Sequence, residues 1–318
     1  MGNKAGKKQN MDDTHALGQG IDFMGKSKIF AVGSVVAIII AAFYLVANGV
    51  NYGIDFAGGT EVQTKFSKEV NSTEVRNFLK NIGYASASVQ AFGDGHEYLM
   101  RFESLVGKDD KETNVMLNAL IAKVTAGLKE TFPDRAPEIR RVDSVGPQIG
   151  SELKRNGILA AFYSLLLILI YVGLRFDYKY APSAVICLLH DSFLTLVIFI
   201  SLGKEVNVQT MAAILTIIGY SLNDTIINFD RIRENTELFR GKDLALVTNR
   251  SINDVLSRTI LTSLTTLLAV GSLYVFAGGV IEDFALTLGI GVVIGTYSSI
   301  YVAAPLVLLL DKLKGNPA

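Results

Sequence analysis

The chain has 318 residues, of which half are hydrophobic and 19% are charged, and its formal net charge is zero. Long segments carry no charge at all, so this average conceals a division into membrane and water-facing parts, and the chain is predicted to cross a membrane several times. The zero net charge argues against a nucleic-acid partner. The single cysteine, Cys187, excludes an intrachain disulfide framework.

The N-terminal residues 1–27 are predicted to be a cytoplasmic tail, disordered over residues 1–20. Six apolar stretches of about 20 residues follow, each long enough to cross the hydrocarbon core as a helix. They are Ile29–Ala47, Gly157–Leu174, Ala181–Leu202, Val208–Asn228, Thr259–Gly278 and Phe284–Leu310. We therefore predict a first helix at 28–48, an extracytoplasmic domain at 49–152, five helices within 153–310, and a short tail at 311–318. The first stretch is longer than the apolar core of a signal peptide, which favours an uncleaved anchor.

The orientation of these spans follows from their flanking Lys and Arg residues. Positive charge precedes the first span, joins the second to the third, and fills the connection before the fifth, where five Lys and Arg residues lie between 231 and 250. The opposite connections are poor in positive charge, with Lys204 alone in one of them. Positively charged short loops remain in the cytoplasm. Both termini are therefore predicted to be cytoplasmic.

The insertion after the first span has the pattern of a small α+β domain. Thr60–Phe66 alternates apolar and polar residues as a half-buried strand does, and a helix with an apolar stripe follows it. Ser72 is predicted to cap this helix and Gly83 to end it. Ser88–Phe92 and Glu97–Phe102 flank Gly93-Asp94-Gly95 as a hairpin, and a second helix and a strand at Glu138–Val142 complete the order βαββαβ. This order is ferredoxin-like and leaves one sheet face or edge free for a partner.

Glycine-rich motifs mark both junctions between this domain and the membrane. Gly58 and Gly59 suit a tight bend at a strand start, and Asp55 can accept hydrogen bonds from backbone donors of the turn. Gly146 and Pro147 favour a rigid elbow before the second span. From the residues alone, all five positions are interpreted as structural.

The fourth span carries the most informative residue, a carboxylate within an apolar segment. Asp224 shares a helical face with Ser221 and Asn228 because spacings of three and four residues fall on one side of a helix. This face is predicted to point to the bundle interior. A packing seam of polar residues is one interpretation. A carboxylate in the membrane is expensive, however, which favours proton handling.

A positive charge is predicted to lie close to Asp224. Arg258 opens the fifth span, and the fourth span descends to the cytoplasm from which the fifth rises, so the two residues lie in the same half of the bilayer. We expect them to form a buried charged pair. Burial favours the protonated acid and a nearby Arg favours the carboxylate, so switching between these surroundings can bind and release a proton. An Arg that only orients its helix is the alternative.

The third span adds His190 and Asp191. Adjacent residues point about 100° apart on a helix, so only one of them can face a given neighbour well. The pair has two possible interpretations: a proton relay, or a single histidine–carboxylate contact that fixes helix packing. Gly291 and Gly295 in the last span are predicted to mark close helix packing.

Several of these segments together resemble a known family. Six segments occur in the order found in the SecF proteins of the bacterial SecD/SecF family. They are Gly53–Thr60, Val145–Leu153, Leu189-His190-Asp191, Gly219–Asp224, Asp230-Arg231-Ile232-Arg233-Glu234-Asn235 and Arg258-Thr259. The resemblance extends from about Ile21 to Leu310. It implies a six-span bundle of the resistance-nodulation-division (RND) type with a ferredoxin-like extracytoplasmic domain, in the bacterial cytoplasmic (inner) membrane. It also implies that Asp224 belongs to a proton pathway.

The resemblance further implies a function and partners. Such proteins are auxiliary subunits of the Sec export machinery that work with SecD, use the proton motive force, and help to move unfolded polypeptides across the membrane. The implied partners are SecD, the SecYEG channel, the exported polypeptide, protons and, indirectly, the SecA motor. RND transporters have two six-span halves with the coupling site between them, so a sister half from another chain is expected.

Other classes of function are less compatible with the sequence. The sequence contains no nucleotide-binding P-loop, metal-ligand cluster or Ser-His-Asp order, so we expect no enzyme activity, cofactor or metal. A half-size RND exporter of lipids or small hydrophobic molecules, acting as a homodimer, is the main alternative. It would require a large apolar pocket in the extracytoplasmic domain. A passive membrane scaffold is a third possibility, in which Asp224 and Arg258 serve packing only.

Overall fold

The computed structural model describes residues 20–92, 96–105, 110–176, 180–277 and 279–313. The predictions for the first 19 residues, the Gly93-Asp94-Gly95 turn, Lys179 and the last five residues lie outside these ranges. The helices and strands in chain order are α1 Ser27–Asn48, α2 Ile54–Ala57, β1 Gly59–Lys65, α3 Ser72–Asn81, β2 Ser88–Phe92, β3 Glu97–Phe102, α4 Asp110–Thr131, β4 Glu138–Val145, α5 Pro147–Arg175, α6 Tyr180–Ser201, α7 Val208–Leu238, α8 Leu244–Phe276, α9 Gly279–Ser298 and α10 Ala304–Leu313.

The predicted architecture is confirmed. Within the described ranges, six helical segments are long and apolar enough to cross a membrane: α1, α5, α6, α7, α8 and the segment Gly279–Leu313. The last segment contains α9 and α10, which are joined by a π-helical turn over Ser299–Ala303. The small α+β domain lies between the first two of these helices, as the sequence predicts.

Three helices form the centre of the membrane bundle. Helices α6, α7 and α9 pack against one another, whereas most apolar side chains of α1 and α5 are exposed. Glycines allow the central helices to approach closely. A Cβ atom on Gly291 would lie 2.2 Å from Cδ1 of Ile217, and one on Gly295 would lie 3.1 Å from Cβ of Ser221. The predicted close packing of the last span at these glycines is confirmed, and the partner is α7.

Helices α7 and α8 extend beyond the predicted spans. The connection before Arg258 was predicted as a charged loop, but α7 continues to Leu238 and α8 begins at Leu244. Ion pairs between the two extensions support them, including the Arg231 and Asp254 side chains at 2.6 Å. A charged sequence continues a helix when its side chains pair across the hairpin and along each turn. The loop prediction is wrong for that reason.

The domain between the first two spans contains a four-stranded antiparallel sheet in the order β2-β3-β1-β4. Helices α3 and α4 cover one face and bury a core that includes Val62, Phe78, Met100 and Val124, each at most 1% exposed. This arrangement confirms the ferredoxin-like prediction. The interior of the domain is filled by packed side chains.

The ends of helix α3 confirm one predicted signal and correct another. Ser72 was predicted as the N-cap, but the cap is Asn71, whose side-chain oxygen accepts the Thr73 N–H at 2.9 Å. An Asn side chain reaches this donor as well as a Ser hydroxyl does. Gly83, with φ +90°, ends the helix as predicted.

Candidate functional site

The polar stripe of α7 lies in the bundle interior. Ser221, Asp224 and Asn228 are each at most 1% exposed. Their spacing along one helical face, together with the apolar residues on the other faces, places them against α6 and the last span. Burial of a carboxylate in such surroundings is expensive and is found where it serves a function.

Asp191 is the centre of a hydrogen-bond network beside this stripe. Its Oδ2 atom accepts the hydroxyls of Ser221 at 2.5 Å and Ser298 at 2.7 Å, and its Oδ1 atom lies 2.8 Å from Nδ1 of His190. Cys187 is buried and lies 3.3 Å from the Ser298 hydroxyl. The third, fourth and sixth spans are thus joined by one carboxyl group.

His190 and Asp191 contact different neighbours, as the 100° separation predicts. Asp191 is directed at α7 and the last span. The only hydrogen bond of the His190 ring given by the described residues is the one to Asp191, and its Nε2 atom has no partner among them. Both side chains are at least 96% buried. The contact fixes the ring orientation, and it also forms a continuous polar path from His190 through Asp191 to Ser221.

Asp224 is unlike its neighbours because, in the described part of the chain, neither of its carboxyl oxygens accepts a well-formed hydrogen bond, although the side chain of Asn223 lies beside it. Ser221, one turn before it, bonds to Asp191, and Asn228, one turn after it, donates to the Ser299 carbonyl at 3.3 Å. Leaving a buried polar group unpaired costs about 1–3 kcal/mol, and more for a charged group. An unsatisfied carboxyl group in a packed bundle therefore marks a site that is completed by a proton, by water or by another chain.

The Ser299 carbonyl that Asn228 contacts belongs to the π-helical turn. A π-helical turn widens a helix by one residue and leaves carbonyls without their usual intrahelical donors, and such turns occur frequently at functional sites. Ser298, immediately before the turn, is the residue that bonds to Asp191. The irregular part of the last span therefore contacts Asn228, one turn after Asp224, and begins next to the residue that binds Asp191.

The structure contradicts the prediction that Asp224 and Arg258 form a buried charged pair. Asp224 is buried, but Arg258 is exposed on the outer face of α8, and no ion pair joins the two described side chains. The phase of α8 is fixed on its other side, where the Ser263 hydroxyl lies 2.7 Å from that of Thr296. Ser263 follows Arg258 by five residues, which at about 100° per residue places the two side chains about 140° apart around α8, so this contact directs Arg258 away from the bundle core. The Arg258 charge nevertheless lies near enough to act on Asp224.

The ends of α7 and α8 form a polar cluster that the sequence indicated only through the Asp230–Asn235 string. Arg231 pairs with Asp254, and Asn235 donates to Asp254 at 3.1 Å and to the Ser251 hydroxyl at 2.9 Å. Asn249 on α8 accepts the Phe23 N–H at 2.8 Å, which fixes the chain just before the first span. These long-range contacts have no signal in sequence spacing.

The two glycines at the start of β1 are required by the backbone. Gly58 has φ +74° and Gly59 has φ +137°, a region that residues with a side chain rarely adopt. A Cβ atom on Gly58 would lie 3.0 Å from Cα of Pro147, and one on Gly59 would lie 2.7 Å from the Phe102 carbonyl oxygen. Gly146 is the N-cap residue of α5 and Pro147 its first residue, so the predicted elbow is a helix start.

Asp55 has a different partner from the one predicted. Its Oδ2 atom accepts the N–H of Val208 at 3.0 Å, which is 153 residues further along the chain. It therefore adds an acceptor at the beginning of α7, the helix that carries Asp224 and whose N-cap is Asn207, instead of satisfying donors in its own turn. A carboxylate is favourable there because the helix N-terminus bears partial positive charge.

A network of ion pairs connects the domain to the bundle, and sequence reasoning missed it. Arg101 on β3 binds Glu61 on β1 at 2.9 Å and also binds Glu205 in the connection between α6 and α7. Lys204, the residue before Glu205 in that connection, binds Asp283 near the start of α9 at 2.6 Å. The sheet face that the helices leave free thus rests on the connections between spans.

This network shifts the pKa of two groups outside the membrane-spanning segments. Burial raises the pKa of Glu61 above its ordinary value of 4.5, although the hydrogen bond and charge of Arg101 oppose the shift. For Lys204, burial lowers the pKa, but the hydrogen bond and charge of Asp283 outweigh it and leave the pKa raised. The Lys204 ammonium group is thus held in its charged form.

These features define a class of protein. It is a multi-pass membrane protein in which a six-helix bundle holds a carboxyl group without a well-formed hydrogen bond among the described residues, next to a polar path, and in which a ferredoxin-like domain is ion-paired to the bundle. Comparison with known proteins agrees with this class. Residues 123–313 match the family model of the protein export membrane protein SecD/SecF C-terminal region, and residues 43–70 match that of the SecD/SecF GG motif.

Characterised relatives match over almost the whole chain. The protein translocase subunit SecF of Calditerrivibrio nitroreducens is 42% identical over 296 residues, which cover 92% of this chain and 95% of the relative. SecF of Vibrio alginolyticus is 41% identical over 294 residues, covering 92% and 91%. The chain belongs to the SecF branch of the SecD/SecF family.

A solved structure shares the fold. The crystal structure of SecDF from Thermus thermophilus, a translocon-associated membrane protein, is 36% identical with a TM-score of 0.81 over 93% of this chain. A second structure, SecDF in its super-membrane-facing form, gives a TM-score of 0.66. This chain spans 39% of the SecDF chain in each case. Its fold therefore corresponds to one part of the SecDF chain.

Proposed function

We propose that this chain is a protein translocase subunit that works with a SecD-type sister half to draw exported polypeptides across the membrane at the expense of the proton motive force. Its relatives carry the translocase name over nearly their full length, which supports the process. The energy source is proposed from the site. We expect no ATP hydrolysis and no covalent chemistry.

The observation that carries the energy source is the buried, unpartnered carboxyl group of Asp224. A neutral carboxylic acid is tolerated in such a site, whereas a carboxylate requires water or a positive charge. Alternating exposure of the site to the two sides of the membrane therefore loads and unloads a proton. One charge crossing the membrane at 100 mV yields about 2.3 kcal/mol, which biases a conformational equilibrium by well over tenfold.

The polar path beside Asp224 is proposed to conduct or store the proton. His190 and Asp191 are in hydrogen-bond contact, and Ser221 connects Asp191 to the helix that carries Asp224. Asn228 links that helix to the π-helical turn of the last span. Proton transfer requires such short contacts between donors and acceptors.

The exposed Arg258 supports a site that is completed by a second half. Its face of α8 also exposes apolar side chains such as Leu261 and Leu268, at 62% and 64%. We propose that a SecD-type chain covers this face and brings Arg258 into a low-dielectric setting next to Asp224. The SecYEG channel, the SecA motor and the unfolded substrate are proposed as further partners of the assembly.

The chain is proposed to lie in the bacterial cytoplasmic membrane with both termini inside, as the Lys and Arg distribution indicates. Cysteines at two exposed positions test this orientation. Lys129→Cys in the domain is expected to react with a membrane-impermeant maleimide in intact cells, and Arg240→Cys between α7 and α8 is expected to react only after lysis. The native Cys187 is buried and serves as the unlabelled background. Labelling of Arg240→Cys alone in intact cells would reverse the topology.

Reconstitution tests the proposed division of function. Vesicles that contain the Sec channel and motor plus this chain are expected to show no gain in gradient-dependent export until the sister subunit is added. The gain is then expected to disappear when an uncoupler collapses the proton gradient. A full effect of this chain alone would contradict the proposal and favour a self-sufficient machine.

The half-size exporter of lipids or small hydrophobic molecules is not favoured. Such a protein needs an apolar cavity in its extracytoplasmic domain, whereas the core of this domain is filled by residues such as Val62, Phe78 and Met100 at no more than 1% exposure. The relatives that match the whole chain are translocase subunits.

A further inference from the structure

An apolar cleft lies on the outside of the membrane bundle, between α1, α6 and the last span, and we call it the outer cleft. Its volume is about 630 Å³, which is within the range of about 300–1,000 Å³ found for sites that bind small molecules. Apolar side chains form most of its wall, and Val35 and Leu189 are half exposed at its mouth. The cleft therefore opens to the surface that faces lipid.

The outer cleft extends through only half of the membrane. On α1 its wall runs from Ala31 to Ile38. Ile38 lies 11 residues beyond the helix start at Ser27, or about 17 Å at a rise of 1.5 Å per residue, which is about the middle of a hydrocarbon core of about 30 Å. Beyond this point α1 and α6 close together, because Ala41 packs in one cluster with Leu194. The cleft therefore has the length of an acyl chain in one leaflet, whereas a partner helix that crosses the membrane would need a groove along the whole span.

Two lysines lie at the end of the outer cleft that is nearest to the membrane surface. Lys28 precedes the wall residue Val35 by seven residues, and Lys312 follows the wall residue Pro305 by seven residues. Seven residues complete almost two helical turns, so each lysine lies within about 20° of its wall residue around the helix axis. Both lysines are exposed, and neither forms an ion pair with another of the residues that the structure describes. Two different helices therefore each bring an unpaired positive charge to the open end of the cleft.

A lysine at the end of a span commonly serves only to orient the helix. Lys26 is an example in this chain, because it lies two residues before Lys28 and therefore about 160° around the axis of α1, away from the outer cleft. Lys28 and Lys312 differ from it in their position on the helix faces that form the wall. Asp311 precedes Lys312 but lies about 100° around α10, so the acid does not share the face of Lys312 that continues the cleft.

We propose that the outer cleft binds an anionic phospholipid such as phosphatidylglycerol. One acyl chain follows the apolar wall toward Ile38, and the phosphate group lies at the open end, where the ammonium groups of Lys28 and Lys312 attract it. Basic sites between membrane-spanning helices bind anionic head groups in this way. A zwitterionic phospholipid has the same chains but gains less from the two lysines. The inference depends neither on the export function nor on the proposed orientation of the chain.

The test uses a single fluorescent reporter on the full-length chain, which contains no tryptophan. Leu189→Trp places the reporter in the wall of the outer cleft, and Leu167→Trp places it on α5, at a position that is 66% exposed and outside the cleft. Leu189 lies nine residues after the start of α6 and Leu167 eight residues before the end of α5, so both lie about 12–14 Å from the same side of the membrane. Each variant is reconstituted in phosphatidylcholine vesicles and titrated with phosphatidylglycerol or phosphatidylcholine whose brominated acyl chains quench tryptophan on contact.

The two reporters are expected to give different lipid preferences. With Leu189→Trp, the relative affinity from quenching is expected to favour phosphatidylglycerol over phosphatidylcholine by about tenfold or more, and with Leu167→Trp the two lipids are expected to quench alike. Adding Lys28→Gln or Lys312→Gln to Leu189→Trp is expected to lower the preference about fivefold. Lys26→Gln removes the same charge from the same end of α1 and is expected to leave the preference unchanged.

A second wall reporter, Ile186→Trp, repeats the measurement, so that the result does not depend on one substitution. Ile186 also lines the outer cleft and is partly exposed. Equal quenching by the two lipids at both wall reporters would overturn the proposal. The same preference at Leu167→Trp, or an equal loss in Lys26→Gln and Lys28→Gln, would also overturn it, because the attraction would then be that of the whole charged surface. Absence of quenching by either lipid at both wall reporters would contradict it as well, since the cleft would then be covered by protein.

Discussion

Replacing the glycines at the junction between the first span and the sheet tests how the domain is fixed to the bundle. Gly58 and Gly203 share a positive φ, +74° and +75°, and Gly58 combines it with an extended ψ of 163°. A Cβ atom on Gly58 would meet the Pro147 backbone at 3.0 Å, whereas one on Gly203 would have no neighbour within 4 Å. Gly203→Ala is therefore the matched control for backbone strain alone.

The expected free-energy costs follow from these two terms. A residue with a side chain pays about 1–2 kcal/mol in the left-handed region, so Gly203→Ala is expected to lose about that much. Gly58→Ala is expected to pay at least as much strain, because φ +74° with ψ 163° lies in a region that is essentially restricted to glycine. It additionally displaces the start of α5, because backbone atoms cannot turn aside as a side chain can. Overpacking of this kind costs about 1–3 kcal/mol. Gly59→Ala, at φ +137° and 2.7 Å from the Phe102 oxygen, is expected to be the most destabilising.

Thermal unfolding of the detergent-solubilised full-length chain measures the order of these effects. Size-exclusion chromatography after heating gives an apparent melting temperature, and a thiol-reactive dye that detects the exposure of Cys187 gives a second reading from the bundle. The expected order of melting temperatures is Gly203→Ala above Gly58→Ala above Gly59→Ala. Equal shifts for Gly58→Ala and Gly203→Ala would refute the close approach of Gly58 to Pro147.

Three further predictions concern single contacts. Asp55→Ala removes the acceptor of the Val208 N–H at the start of α7, where Asn207 remains as the N-cap, and is expected to lower stability by up to about 1 kcal/mol in chemical denaturation. Asp55→Asn is expected to retain part of this stability, and equal losses would contradict the role of the Asp55 carboxylate at this helix start. The raised pKa of Glu61 means that the folded state holds this proton more tightly, so its stabilisation is present below pH 4.5 and is lost as pH rises above it. The melting temperature of Glu61→Gln relative to wild type is therefore expected to increase with pH, and a constant difference would argue against the shift. Gly291→Val forces α9 away from Ile217 and is expected to cost about 1–3 kcal/mol in the same unfolding assay. Adding Ile217→Ala makes room for the new side chain and is expected to restore stability.

Sequence periodicity alone predicts those features that depend on a single helix or strand. The stripe of Ser221, Asp224 and Asn228 follows from the 3.6-residue turn, and its burial follows from the cost of placing a carboxylate in lipid. The βαββαβ order of the domain follows likewise from alternation and helical stripes. These inferences require only that each segment bury its own apolar side.

Contacts between distant segments could not be predicted in this way. The exposure of Arg258 depends on how Ser263 packs against the last span, and the partner of Asp55 lies 153 residues away. Arg101 and Glu205 meet only because the sheet rests on the connection between α6 and α7. Helix rotation and domain placement are set by side chains from several elements at once, and a single sequence does not contain that geometry in its spacing.

The most direct test of the proton-coupling account measures gradient-stimulated export in vesicles that contain the complete machinery with Asp224→Asn, Asp224→Glu or Arg258→Ala. Asparagine keeps the size of Asp224 but cannot ionise. The account predicts normal assembly with SecD and loss of stimulation in both Asp224→Asn and Arg258→Ala, whereas Asp224→Glu retains part of the activity because it keeps an ionisable group in a displaced position. A packing role predicts the reverse for the amide, since a neutral group is cheaper to bury than a charge. Normal stimulation by Asp224→Asn would contradict the account.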